Sequence, residues 1–314
     1  MGKIKEFIKN ISPFNSRSEM PKILYIVKVI LIFFVFKFIG ELVCEGLAIG
    51  IHFACGKNPL KGEMFDTNTI TLITYLGYSL MIAVIIVLWK LFQKKTVAEL
   101  GFTGNALTYL LGLAAGTVLI AACVIPVMLT GALQFNGVFE NIDKAMVLLM
   151  IPCFVLQGAM EEVLCRGVVQ QLLIKKTTVP VTFAVSAALF AIPHIDNMAG
   201  TEPAIAVTAV INLILISLIF SFLTLRLKSI WAACGLHSVW NYILSVVLGL
   251  NLSGNEGSVV AVFDVRTSGN SILNGGIYGI EGSVVTAAVL ALVLAGTVQF
   301  SLKDRLNANE KELH

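Results

Sequence analysis

Long apolar segments recur along this chain of 314 residues, and they constrain its fold more than any other feature. A hydrocarbon core about 30 Å thick is crossed by a helix of roughly 20 residues. Hydrophobic residues make up 57% of the sequence and charged residues 13%, whereas soluble domains carry about 25% charged residues. These features exclude a soluble globular domain. They predict an all-α membrane bundle of about eight transmembrane helices.

Hydropathy and segment length place these helices along the chain. The eight predicted helices span residues 23–54, 69–92, 105–131, 146–173, 179–194, 204–225, 230–250 and 283–302. The connecting stretches predicted to be loops are 56–68, 131–144 and 251–282. On this basis the chain divides into three helices in 1–145, a core of four helices in 146–250, and an outer loop, last helix and cytoplasmic tail in 251–314.

Basic residues lie mainly on one side of the predicted bundle. The loops and termini expected in the cytoplasm contain Lys3, Lys5, Lys9, Arg17, Lys22, Lys90, Lys94, Lys95, Lys175, Lys176, Arg226, Lys228, Lys303, Arg305 and Lys311. The opposite loops contain Lys57, Lys61, Lys144 and Arg266. Because basic residues are retained on the cytoplasmic side, both termini are expected there. The small net charge of +3 and the lack of long basic runs argue against a nucleic-acid partner.

Three of the predicted helices contain polar residues that a bilayer disfavours. Their patterns are E-E-x-x-x-R, F-x-x-x-H and H-x-x-x-N, formed by Glu161, Glu162, Arg166, Phe190, His194, His237 and Asn241. An ionisable group at bilayer depth costs several kcal/mol unless it is paired or faces water, so such groups mark functional sites. At about 1.5 Å per residue, four of these side chains lie roughly 12 to 22 Å from the cytoplasmic ends of their helices: Glu161, His194, His237 and Asn241. This shared depth is what convergence into one site requires.

Spacing within each helix suggests a role for each side chain. Glu162 and Arg166 lie four residues apart on one helical face, where they can form an ion pair. Glu161 points about 100° away and has no such partner on its own helix, which favours a role as general acid or base. His237 and Asn241 also share a face, and both side chains can donate hydrogen bonds to an oxyanion.

Two other interpretations fit the same residues. The charges could form a purely structural cluster that holds helices together, although an apolar interface would do so at less cost. Glu161, His194 and His237 are a carboxylate and two histidines, a ligand set that zinc hydrolases use. The spacing does not match H-E-x-x-H, so a zinc site would depend on the tertiary arrangement. We favour a site without a metal cofactor, since Asn241 is a poor zinc ligand but a good oxyanion donor.

The three motifs, in this order on three membrane helices, resemble those of the CPBP family. This family comprises the type II CAAX prenyl endopeptidases and bacterial relatives in bacteriocin processing and self-immunity, also called Abi proteins. The resemblance covers residues 146–250, about a third of the chain. It implies an intramembrane protease, described for the family both as a metalloendopeptidase and as a glutamate-dependent enzyme.

The resemblance also implies a role for each motif residue. Glu161 matches the catalytic glutamate, and His194 matches the histidine that helps it to activate water. His237 and Asn241 match the pair that stabilises the oxyanion. The positions that match the family's supporting residues are Glu162 and Arg166.

We therefore expect an integral, multi-pass protein of a bacterial plasma membrane that hydrolyses a peptide bond. Its expected substrate is a peptide or protein, either a CAAX-like, lipid-modified chain or a bacteriocin or leader peptide. The alternative is a non-catalytic membrane protein that serves bacteriocin self-immunity or ion-coupled transport. Lys37, Glu41 and Glu45 repeat every four residues on the first helix, where they either line a cavity or form a ladder of charges along the helix.

Overall fold

The computed structural model describes residues 2–255 and 260–312 of the chain. Its longer helices are α1 Gly2–Ile11, α2 Lys22–Ala54, α3 Thr67–Leu88, α4 Ala106–Leu129, α5 Lys144–Glu162, α6 Val179–Ala191, α7 Pro203–Leu227, α8 Trp231–Tyr242 and α9 Val284–Glu312. Four of them continue with a different winding: α3 as a π-helix over Trp89–Gln93, α5 as a π-helix over Val163–Gln170, α6 as a 3-10 turn over Ile192–His194 and α8 as a π-helix over Ile243–Val247. With these continuations, the ends of α2 to α9 lie within a few residues of the predicted ends, except that α9 extends further.

Within the described residues, five helices are long and apolar enough to cross a membrane: Lys22–Ala54, Thr67–Gln93, Ala106–Leu129, Lys144–Leu173 and Pro203–Leu227. Two further apolar helices, Val179–His194 and Val284–Gln299, are shorter. The protein is therefore an integral, multi-pass membrane protein with a helical bundle. The count of eight crossings and the side on which the termini lie stay predictions.

Large apolar side chains on the outside of the bundle suit a lipid environment. Phe38, Val118 and Leu129 are 65%, 70% and 82% exposed. An apolar surface of this kind would cause aggregation in water, but lipid tails are as apolar as these side chains. The charged pair Glu162 and Arg166, by contrast, is fully buried inside the bundle.

Side-chain caps fix the start of two helices. Asp66 accepts a hydrogen bond from the Thr69 amide at 3.1 Å before α3, and Asp143 accepts one from the Met146 amide at 3.0 Å before α5. Each carboxylate satisfies an amide that a helix start leaves unpaired. Because α5 begins at this cap, Glu161 lies about five turns along it, deep in the bundle.

Helix α8 packs against α4, α5 and α7. The G-x-x-x-G spacing of Gly112 and Gly116 predicts that α4 approaches a neighbouring helix closely. The structure confirms this, because a Cβ added at Gly112 would lie 2.1 Å from the carbonyl oxygen of Ala232 on α8. On α5, a Cβ added at Gly158 would lie 2.9 Å from the amide nitrogen of Ser238. These contacts bring the polar residues of α5 close to those of α8.

Two stretches predicted to be loops contain short strands, which corrects the all-α prediction. β1 (Leu133–Val138) and β2 (Phe263–Thr267) form a two-stranded antiparallel sheet in which Leu133 lies opposite Thr267. Hydropathy scanning detects long apolar segments, and strands of this length give too short a signal to stand out. The sheet joins the connection after α4 to the connection before α9.

The contact between α4 and α8 predicts a stability change. Gly112→Ala should lower the free energy of unfolding by ~1–3 kcal/mol, the usual cost of overpacking, because its Cβ would meet backbone. Gly46→Ala on α2 is the matched control, since no atom lies within 4 Å of its added Cβ. It should be neutral or stabilising by about 0.5–1 kcal/mol. Thermal unfolding in detergent measures both, and equal melting temperatures for the two variants would contradict this packing.

Candidate active site

One cavity of about 310 Å³ is surrounded by α2, α3 and α5 to α9 together with two loops. Its wall includes the four predicted catalytic residues: Glu161, His194, His237 and Asn241. They come from α5, from the turn that ends α6, and from α8. The fold therefore brings together three motifs that are far apart in the sequence. The volume lies at the lower end of the range for ligand sites.

Glu162 and Arg166 lie behind this wall rather than on it. Both side chains are 0% exposed, and Arg166 Nη1 donates to Glu162 Oε1 at 3.1 Å. The predicted ion pair is therefore present. Arg166 Nη2 also donates to the hydroxyl and the carbonyl oxygen of Ser217 on α7, at 2.6 and 3.0 Å. These bonds compensate part of the loss of water around the two charges, while Glu162 Oε2 and Arg166 Nε are buried without a hydrogen-bond partner.

Aromatic rings surround the buried guanidinium. The Arg166 carbon Cζ lies 4.7 Å from the ring centre of Phe190 and 5.0 Å from that of Phe220. The imidazole of His237 stacks on the same Phe220 ring, with centres 5.2 Å apart and planes 18° apart. Cation–π attraction is stronger when water is absent, so this packing stabilises the charge and fixes the imidazole plane.

His237 is held between the two adjacent glutamates. Its Nδ1 lies 3.0 Å from Glu162 Oε1, and its Nε2 lies 3.9 Å from Glu161 Oε2. A carboxylate only accepts hydrogen bonds, so Nδ1 carries a proton and donates it to Glu162. The other nitrogen, Nε2, therefore faces Glu161 and the cavity. The sequence placed Glu162 as a partner of Arg166 but did not reveal that the same oxygen also binds His237.

Gln157 is a site residue that the sequence reasoning missed. Its amide nitrogen donates to Glu161 Oε1 at 2.6 Å, and its amide oxygen accepts from Asn241 Nδ2 at 2.7 Å. Glu161 thus has a hydrogen-bond partner one turn earlier on α5, although not the charged partner considered above. The signal in the sequence was an amide four residues before the glutamate on an otherwise apolar helix face.

His194 enters the cavity wall from a break in α6. Pro193 predicts a kink at the preceding turn, because proline cannot continue the helical hydrogen-bond pattern. The regular helix ends at Ala191, and a 3-10 turn covers Ile192–His194. The His194 Nδ1 donates to the Phe190 carbonyl oxygen at 2.9 Å, which leaves Nε2 as the acceptor of the neutral ring.

The residues considered for zinc, Glu161, His194 and His237, lie on the wall of the same cavity. Among the residues that the structure describes, no group of three or more His, Cys, Asp or Glu side chains is arranged to hold a metal ion. His237 directs Nε2 toward Glu161 at 3.9 Å and donates through Nδ1 to Glu162, a bonding pattern that histidines show both as acid–base groups and as metal ligands. A site without a metal cofactor stays a prediction.

Two further groups of polar residues lie on the cavity wall. Lys37 and Glu41 of α2 form an ion pair there, so both interpretations of this stripe hold for these two residues. Glu281, in the loop before α9, accepts hydrogen bonds from Trp240 Nε1 at 2.9 Å and from the Ser253 amide at 2.6 Å. These bonds attach the loop before α9 to α8, close to the catalytic residues.

Residues 143–243 match the family model described as type II CAAX prenyl endopeptidase Rce1-like. This match supports a CPBP-family protease. The matched segment covers about a third of the chain and includes the three motifs that carried the resemblance, which is thereby confirmed. The match also suggests CAAX-type intramembrane protease activity. A search of curated proteins found no match.

The buried pair of Glu162 and Arg166 predicts a stability defect. Glu162→Gln removes the negative charge beside Arg166 and should lower the free energy of unfolding by ~3–5 kcal/mol, as expected for a broken buried ion pair. Glu45→Gln on the exposed face of α2 is the control and should change it by less than ~0.5 kcal/mol. Thermal unfolding in detergent measures both. A fully stable Glu162→Gln protein would show that the pair does not hold the bundle together.

Proposed function

We propose that this protein is an intramembrane endopeptidase in which Glu161 activates water for hydrolysis of a peptide bond. The proposal is carried by one observation, that the four motif residues line a single cavity. Glu161 is 21% exposed in that cavity, whereas the neighbouring Glu162 is fully buried in its ion pair. Of the two carboxylates, Glu161 is therefore the one that can exchange a proton with water.

The reaction needs a water molecule between Glu161 and the substrate carbonyl. Glu161 takes a proton from this water while the water oxygen bonds to the carbonyl carbon. The neutral His194 accepts a hydrogen bond from the same water through Nε2 and helps to orient it. When the C–N bond breaks, Glu161 returns the proton to the leaving amine. The products are a carboxylic acid, which keeps the second proton of the water, and an amine, and the enzyme is restored.

His237 and Asn241 stabilise the oxyanion that forms on the carbonyl oxygen. Asn241 donates one amide proton to Gln157, which leaves its second proton for the oxyanion. His237 donates through Nε2 when it is an imidazolium, and the carboxylate of Glu162 on its other side stabilises that form. Removal of one oxyanion donor typically costs ~3–4 kcal/mol of transition-state stabilisation.

Gln157 acts as a positioning residue in this scheme. Its two hydrogen bonds connect the general base on α5 with the oxyanion donor on α8. Small displacements of catalytic groups cost large factors in rate, so a connection of this kind maintains the geometry that the reaction needs. It also leaves the second oxygen of Glu161 available to water.

The proposed substrate is a peptide or protein, and a CAAX-like, lipid-modified chain and a bacteriocin or leader peptide both suit the chemistry. The alternative function is non-catalytic immunity or ion-coupled transport. Transport would be indicated by uptake that depends on an ion gradient and disappears when Glu161 is changed. Cleavage of a peptide by the purified protein would indicate the protease.

The role of Glu161 as general base predicts that its substitution causes the largest loss of activity among these variants. Glu161→Gln should reduce peptide cleavage at least ~100-fold, the lower end of the range for a general base, with little change in melting temperature. Cleavage in detergent of two probes, a farnesylated CAAX peptide and an unmodified quenched peptide library, provides the measurement. Glu45→Gln is the charge-matched control and should remain active. If Glu161→Gln is active while a stable Glu162→Gln protein is inactive, the two roles are reversed.

The positioning role of Gln157 predicts that Gln157→Leu changes kcat and KM differently from a change in a residue that binds substrate. This change removes both hydrogen bonds at similar volume, so kcat should fall ~10–100-fold, in line with ~1.5–3 kcal/mol for a hydrogen bond to a charged group. KM should stay nearly constant, because Gln157 is placed behind the reacting atoms. Met160→Leu on the same cavity wall is the control and should keep the kcat of the unchanged protein. A rise in KM with unchanged kcat would instead indicate that Gln157 binds substrate.

A further inference from the structure

The cavity reaches an aqueous end of the bundle on one side. The polar loop residues on its wall are Asn197, Ser253, Asn255 and Glu281. Asn197 follows α6, and the other three lie between α8 and α9, so all four belong to the end of the bundle at which α5 begins. Asn255 is exposed there. None of the residues that line the cavity comes from the loops at the opposite end, which lie after α3, α5 and α7.

The opposite end of the bundle is closed by packed residues. All eight residues of the π-helix Val163–Gln170 are buried. The loop after α3 packs directly beneath this segment, since a Cβ added at Gly167 would lie 3.1 Å from the Leu100 carbonyl oxygen. Trp89, at the end of α3, is 0% exposed. A polar chain entering from this end would have to separate these contacts.

Ion pairs join the loops at the closed end. Glu99 contacts Lys175 at 3.0 Å and Lys95 at 3.1 Å. The hydrogen bond from Lys175, followed by that from the Thr96 amide, lowers the pKa of Glu99 to about 2. Glu99 is therefore ionised at neutral pH and connects the loop after α3 with the loop after α5.

The closed end is also the basic end. Its loops carry Lys90, Lys94, Lys95, Lys175, Lys176, Arg226 and Lys228, whereas the loops of the open end carry Lys57, Lys61, Lys144 and Arg266. Basic loops stay in the cytoplasm during membrane insertion. The charge pattern therefore places the closed end in the cytoplasm and the mouth of the cavity on the outer side.

We propose that the substrate is a peptide segment presented from the outer side of the membrane, which reaches Glu161 through the mouth formed by Asn197, Ser253 and Asn255. That this peptide is a substrate rests on the proposed protease function. The direction from which it enters rests on the cavity and the charge pattern. Exported peptides and the outer segments of membrane proteins belong to this class. A lipid-modified chain end that stays in the cytoplasm does not, because the closed end separates it from the site.

Thiol labelling tests the direction of access without any need for catalysis. Cys55 is exposed and Cys44 is half-buried, so both are first replaced by Ser, and the remaining four native cysteines are buried. Three single cysteines are then added: Asn255→Cys at the mouth, Ile216→Cys on the cavity wall and Lys175→Cys at the closed end. Val118→Cys, on the exposed apolar face of α4, controls for reaction within lipid.

A charged, membrane-impermeant methanethiosulfonate is applied to spheroplasts and to inside-out vesicles. We expect Asn255→Cys and Ile216→Cys to react at least ~10-fold faster in spheroplasts, and Lys175→Cys to react faster in inside-out vesicles. Val118→Cys should react slowly in both, because thiolates do not form in lipid.

Two outcomes would overturn the proposal. Faster reaction of Ile216→Cys in inside-out vesicles would show that the cavity opens to the cytoplasm. Faster reaction of Lys175→Cys in spheroplasts would show that the orientation is reversed. Failure of the protease function is separate from both, since an active Glu161→Gln enzyme would refute the hydrolytic mechanism and leave the labelling pattern unchanged.

Discussion

One oxygen atom of Glu162 connects the parts of this structure on which the rest depends. Glu162 Oε1 accepts a hydrogen bond from Arg166 on its own helix and another from His237 on α8. Arg166 in turn binds Ser217 on α7. Three helices are therefore joined through one buried carboxylate. A carboxylate without these partners would be too costly in a dry interior, so the helices must pack in a way that supplies them.

This arrangement divides the paired glutamates between two environments. Glu162 is fully buried, accepts hydrogen bonds from Arg166 and His237 through Oε1, and does not line the cavity. Glu161, the next residue, is turned by about 100° and borders the cavity with part of its surface exposed. Two successive residues of α5 thus have different roles. Glu162 provides a fixed charge in the packed interior, and Glu161 provides a carboxylate at the cavity that can transfer protons. His237 lies between them and contacts both.

The helices could be predicted because hydropathy and length depend on the local sequence alone. The ion pair between Glu162 and Arg166 could also be predicted, since a spacing of four residues on one helix fixes its geometry. The bond from His237 to Glu162 joins residues 75 positions apart, and nothing local specifies it. Gln157 was missed because a neutral amide does not stand out by charge, although its position one turn before Glu161 was visible. The short strands gave too little signal, because five or six residues form no long apolar segment.

The ion pair on α5 also has a consequence for how the protein enters the membrane. Glu162 and Arg166 lie on the same helix, so they can neutralise each other before any other helix is present. Insertion of α5 then requires the transfer of one dipolar pair into lipid rather than two separate ions, which lowers the cost of an otherwise unfavourable step. Ser217 and His237 add their hydrogen bonds when α7 and α8 assemble around the inserted helix. The order of events during biogenesis, first insertion and then association, is therefore favoured by a spacing of four residues.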